Sequence, residues 1–216
     1  MYKKIALFLI LQYLITVFLL ILLYKGGNYY NPDEAFFVFE KNYLSDLGRT
    51  AYFNGERNPL WWIYSITLAL AGVGTFLFFF LMAKNLRVYQ KSMVLFFALL
   101  AGLGLLGIAV FPVDIYLKPH IISGSIAFFS FFIALLFLLV FSVKTNTKMQ
   151  NFLLFLFIFL FSVFLAIKFL APSSRQSEQA LMLKVIAQKI IVASQLLIPV
   201  LLLLLPVKEH EDNDVL

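Results

Sequence analysis

Residues 151–171 read NFLLFLFIFLFSVFLAIKFLA, a run dominated by Leu, Phe and Ile with one basic side chain, Lys168. It supplies the ~20 residues that a helix needs to cross a ~30 Å hydrocarbon core. Backbone amides in lipid must find partners within their own segment or in a closed barrel. The run lacks the two-residue alternation of a barrel strand, so it is predicted to be a transmembrane helix. Five more runs have the same character, at 5–24, 60–83, 92–112, 120–143 and 182–205. The expected fold is all-α: a polytopic membrane protein with a six-transmembrane-helix bundle. One membrane domain is expected over residues 1–216, with a long loop at 25–59 and a tail at 206–216.

Composition agrees. Hydrophobic residues make up 62% of the chain and charged residues 13%, whereas soluble domains carry about 25% charged residues. The first run follows Met1-Tyr2-Lys3-Lys4, as a signal peptide would. It is longer than a signal peptide's apolar region and lacks a small-x-small cleavage site, so a retained span is expected. No cysteine is present, which excludes disulfides, thiolate chemistry and Cys-ligated metals. The net charge of +6 is scattered over loop ends, as membrane orientation requires, and forms no run suited to nucleic acid.

Lys3, Lys4, Lys84, Arg87, Lys91, Lys144 and Lys148 lie at one end of the spans. The short connections at the other end offer Lys118 and Arg175. By the positive-inside rule both termini are expected to be cytoplasmic, in a plasma (inner) membrane. The loop 25–59 is then extracytoplasmic, and it exceeds the ~12–15 residues of an ordinary connector. Its Phe36-Phe37-Val38-Phe39 stretch is expected at or in the interface, and Trp61-Trp62 in an aromatic belt. Helix contacts are expected where small residues recur. These are Ala98, Ala101, Gly102, Gly104 and Gly107 in the third span, and a stripe of His120, Ser123, Ala127, Ser130 and Ala134 in the fourth.

The uncommon polar residues gather at the end that carries the long loop. Ser45-Asp46-Leu47-Gly48 suits a capped turn. Asp114, between Pro112 and Pro119-His120, is placed to cap the fourth helix or pair with Lys118. His120 heads the small-residue stripe and is expected to point into the bundle. In the sixth span Lys184, Gln188 and Gln195 share a face, with Lys189 about 100° away by the helical period. A Lys this deep needs a partner, and Asp46, then Asp114, are the available acids. Lys168 and Lys184 lie near enough to the interface to snorkel.

Taken together, the Ser45-Asp46-Leu47-Gly48 loop, Asn58-Pro59-Leu60-Trp61, Phe111-Pro112-x-Asp114 with His120, and Gln188-Lys189 resemble an uncharacterised prokaryotic six-span membrane protein family. That family is similar to the DRAM/Sfk-type membrane proteins, which share a Ser-Asp-x-Gly loop and a His heading the fourth helix. The sixth-helix pair in the family usually reads Gln/Glu-Arg, and Lys189 departs from it, without Arg's bidentate fork. The resemblance implies a six-helix bundle with both termini inside. For the eukaryotic relatives it suggests roles in membrane-lipid organisation, lipid-anchor maturation and autophagy.

No His-x-x-x-His, Gly-x-Ser-x-Gly or P-loop is present. The second histidine, His210, falls in the tail, so neither a metal nor a cofactor is expected. The leading reading is a non-enzymatic lipid-interacting or regulatory protein, whose ligand-binding residues are Ser45, Asp46, Asp114, His120, Gln188 and Lys189. Its expected partners are membrane lipids, not nucleic acid. The alternative is an intramembrane hydrolase or transferase acting on lipid, with catalytic candidates His120, Asp46 and Asp114 and with Lys189 stabilising developing charge. A small transporter is the third reading, set against the apolar half of the spans away from the loop.

Overall fold

The computed structural model describes residues 1–142 and 147–205 of the chain. All six predicted spans are helices: α1 (Tyr2–Leu23), α2 (Trp61–Met82), α3 (Val88–Val110), α4 (Leu117–Ser142), α5 (Lys148–Leu170) and α6 (Glu178–Leu204). Each is long and apolar enough to cross a membrane, which makes the chain a multi-pass membrane protein. The tail at 206–216, with His210, and the predicted end of the fourth span at Val143 lie outside the described residues.

Hydrophobicity located the spans, but caps and turns set their ends. Thr147 accepts the Gln150 amide at 3.2 Å while the Gln150 side chain accepts the Thr147 amide at 2.8 Å, so α5 starts at Lys148 rather than 151. Ser177 accepts the Ala180 amide at 3.1 Å and starts α6 at Glu178 rather than 182. Pro119 and His120 fall inside the first turn of α4 instead of opening it. A proline is tolerated there because first-turn amides lack helical acceptors.

Each helix packs on its chain neighbours, and α1 closes on α6. The closest pair is α3 with α4, and small residues cause it. A Cβ on Gly104 would stand 2.8 Å from the Ser123 carbonyl oxygen, so only Gly permits this approach. The predicted stripe is buried as expected at Ser123, Ala127, Ser130 and Ala134. Gly72 and Gly102 bring α2 against α3 in the same way. Gln12 of α1 donates to the Thr67 carbonyl at 2.9 Å and accepts from the Thr67 hydroxyl, satisfying polar groups at a helix contact.

The α4–α5 pair differs. These helices are in less intimate contact than α3 and α4, and phenylalanine rings bridge them. Phe132 stacks on Phe161 at 4.3 Å between centroids, and Phe128 lies 5.7 Å from Phe164. Away from the long loop, Phe78, Phe79, Leu135, Leu138, Phe157 and Leu202 are fully buried and fill the bundle. Toward the loop, packing gives way to a chamber.

Candidate functional site: a chamber beneath the long loop

The loop 25–59 is irregular, so its backbone amides and carbonyls need partners that helices would otherwise provide. Three buried asparagines supply many of them, each having both donors and an acceptor. Asn28 accepts the Tyr30 and Asn31 amides, both at 3.0 Å. Asn42 accepts the Val38 amide at 2.9 Å and donates to the Gly27 carbonyl at 2.7 Å. Asn58 donates to the Leu47 and Arg49 carbonyls at 3.0 and 2.8 Å and accepts the Leu60 amide at 3.0 Å.

Within this frame Leu44–Gly48 forms one 3₁₀ turn. Asp46 accepts the Tyr43 amide at 2.8 Å, the capping role that Ser-Asp-x-Gly suggests. Burial pushes its carboxyl up to about 6, against the opposing pull of Arg49 and the Tyr43 amide. Asp114 neither caps α4 nor meets Lys118. It accepts the Thr50 and Ala51 amides at 3.0 Å each and the Thr50 hydroxyl at 2.7 Å. Partial burial alone would raise its pKa, but these bonds hold it below the usual carboxylate value. The loop's open amides outcompete an exposed Lys118, because they are fixed donors with no other partner.

The sixth helix fastens the same loop. Gln188 accepts the Leu44 amide at 3.1 Å. Lys189, buried, donates to the Asn42 carbonyl at 2.5 Å, with its ammonium 5.4 and 4.9 Å from the centres of Phe37 and Phe39. The expected ion pair of Lys189 with Asp46 or Asp114 is therefore absent. A backbone carbonyl and two ring faces replace the carboxylate, since both acids are committed to loop amides. Phe37 turns inward against Tyr24, while Phe36 and Phe39 stay exposed, so the apolar stretch is partly roof and partly outer surface. Lys41 pairs with Glu178 at 2.6 Å and adds a third tie to α6.

Under this roof lies a chamber of about 660 Å³, bounded by α2, α3 and α4 on one side and α5 and α6 on the other. Ser45, Asp46, His120 and Gln188 line it, whereas Asp114 and Lys189 do not. Lys184, Gln188 and Gln195 all face it, as their shared helical face predicts. Its deeper walls include Phe128, Phe131, Phe164 and Leu196. The His120 Nδ1 lies 2.7 Å from the Phe111 carbonyl. No carboxylate reaches that ring among the described residues, so the His–Asp pairing required by the catalytic reading is not formed.

Five lining cations were not singled out as site residues by the sequence reading: Lys41, Arg49, Lys168, Arg175 and Lys184. Lys168 and Lys184 were assigned to snorkelling, and Arg175 counted only toward orientation. One signal was available. These three flank a single short connection whose nearest acid, Glu178, is taken by Lys41.

Fold and site together define a multi-pass membrane protein with a polar-roofed chamber at one end. Over residues 33–204 the chain matches the family described as Protein of unknown function (DUF998), and it belongs to that family. No curated protein and no solved structure matches it.

Proposed function

We propose that this protein is a non-enzymatic lipid-interacting membrane protein that receives an amphiphile in the chamber beneath its long loop. The supporting observation is the chamber itself. Its size falls within the ~300–1,000 Å³ of small-molecule sites, with polar groups near the roof and aromatic walls below. A head group fits the first and an acyl chain the second. The catalytic reading is weaker, because Asp46 and Asp114 are spent on loop amides and His120 is held by a carbonyl. Transport would need a polar path onward, and buried Phe and Leu side chains fill the bundle there. The likeness to DRAM/Sfk-type proteins belongs to this proposal and points toward membrane-lipid organisation.

The proposal includes an orientation, with the loop outside and both termini in the cytoplasm of a plasma-membrane protein. A single Cys at Asn54 is then labelled from outside and one at Asn85 is not. The reverse pattern would place the chamber on the cytoplasmic leaflet. The chamber reading is tested by mass spectrometry of gently extracted protein. Wild type retains an amphiphile, and Gly124→Phe loses it while remaining folded, because an added Cβ there meets only Ile108 at 3.8 Å. Equal retention by both would sink the reading.

A further inference from the structure

The charges on the chamber wall are unbalanced. Lys41, Arg49, Lys168, Arg175 and Lys184 line it, and Asp46 is the lining carboxylate. Lys41 is neutralised by Glu178. Arg49 donates to the Ala51 carbonyl at 3.1 Å and lies 4.0 Å from the Phe53 ring centre. Lys168, Arg175 and Lys184 remain without a counter-charge, one each from α5, the connection after it and α6, with Lys168 lying 5.8 and 5.9 Å from the Phe129 and Phe169 ring centres. Among the described residues, no carboxylate lies within ion-pairing distance of any of these three.

Snorkelling toward bilayer head groups is the ordinary explanation for cations at a span end. Two observations separate this case from it. All three line one chamber, with Lys168 and Lys184 half-buried and Arg175 exposed. They also share it mostly with neutral groups such as Ser45, His120 and Gln188, and its one carboxylate, Asp46, accepts the Tyr43 amide instead of pairing with them. Like charges gathered at a partly buried site repel unless an anion joins them. We infer that the chamber binds an amphiphile with an anionic, phosphate-like head group, seated among Lys168, Arg175 and Lys184 with its apolar chain along Phe128, Phe131 and Phe164. The inference rests on the amphiphile reading above and names its chemical class. Three cations from three segments suit a head with several charged oxygens: Arg offers a planar fork, and each Lys a movable point charge.

The full chain is purified in dodecyl maltoside, a neutral amphiphile, and titrated with dodecyl phosphate, zwitterionic dodecylphosphocholine or inorganic phosphate. Native mass spectrometry and melting temperature report binding. Dodecyl phosphate is expected to bind once per chain and raise the melting temperature. Lys168→Gln and Lys184→Gln should each weaken it about tenfold, the loss of a charge-assisted contact. Lys168→Arg and Lys184→Arg should retain it, which separates lost charge from lost folding. Lys84→Gln with Lys91→Gln, at the opposite end, should change nothing. Unaltered binding by the two Gln variants overturns the inference, as does binding of inorganic phosphate as tightly as dodecyl phosphate. If dodecylphosphocholine binds as well as dodecyl phosphate, the anionic head group is wrong while the amphiphile chamber stands. If no amphiphile is retained, both proposals fall.

Discussion

Helix α4 makes two seams of opposite kind. Against α3 it closes backbone to backbone, through Gly104 and Gly107 facing Ala127 and Ser123. Against α5 it is bridged by rings, Phe128 to Phe164 and Phe132 to Phe161. Small residues let dispersion and polar contacts act at short range along a whole helix. Large rings can bridge a wider gap and leave space beside them. One face of α4 thus holds the bundle together while the other bounds a chamber, whose roof is likewise closed by side chains: Gln188, Lys189 and Asp46.

This contrast breaks most sharply at Gly104. Gly104→Leu drives a side chain into the α4 backbone and should destabilise the protein by about 3 kcal/mol, the upper range for overpacking. A melting temperature equal to wild type would mean that the close seam is not the structural one. Next comes the roof. Lys189→Ala removes a charge-assisted hydrogen bond and two ring contacts, at a cost of about 2 kcal/mol. Protease cleavage within residues 36–46 should rise in that variant; unchanged cleavage would show that the roof holds without this clamp.

A smaller effect depends on pH. The folded Asp46 value of about 6 lies above the ordinary ~3.9. Between these values the folded chain binds more protons than the unfolded one, so this contribution falls as pH rises from about 4 to 6 and is flat above. Acidifying from about 7 to 5 should stabilise wild type by on the order of 1 kcal/mol relative to Asp46→Asn. Asp114, shifted downward, loses its contribution only as pH falls below the ordinary carboxylate range, outside this window. Parallel curves for wild type and Asp46→Asn would contradict the assigned burial. The smallest change is expected at the ring-bridged seam. Phe164→Leu should cost less than about 1.5 kcal/mol, yet speed thiol labelling of a Cys at Ser125 on the chamber wall. A large loss of stability there would make the two seams equivalent.

The spans were legible because lipid demands long apolar runs and leaves few other ways to satisfy a backbone. The packing faces of α3 and α4 were legible too, since small residues at offsets of three and four share one helix face, although that the two faces meet each other was not. Lys189 was misread for a physical reason. Sequence displays carboxylates, whereas its acceptor is the Asn42 carbonyl, freed by an irregular loop whose path only the fold defines. Asp114 was misread likewise, its donors being the Thr50 and Ala51 amides. The chamber cations were visible singly, but that they line one chamber follows only from the packing of the helices.

The two α6 clamps join positions 144 and 147 apart in the chain. A ribosome delivers the loop early, directly after α1, while the helix that fastens it arrives last. Until α6 is inserted, the Asn42 carbonyl and the Leu44 amide have no clamp. Asp114 can fasten one part of the loop earlier, but the attachment of residues 42–44 cannot form during synthesis of the first five helices, however well those helices pair. Such long-range closure is slow and comes late in assembly. A chain halted after Leu170 should span the membrane with its first loop still open to protease, and adding α6 should close it.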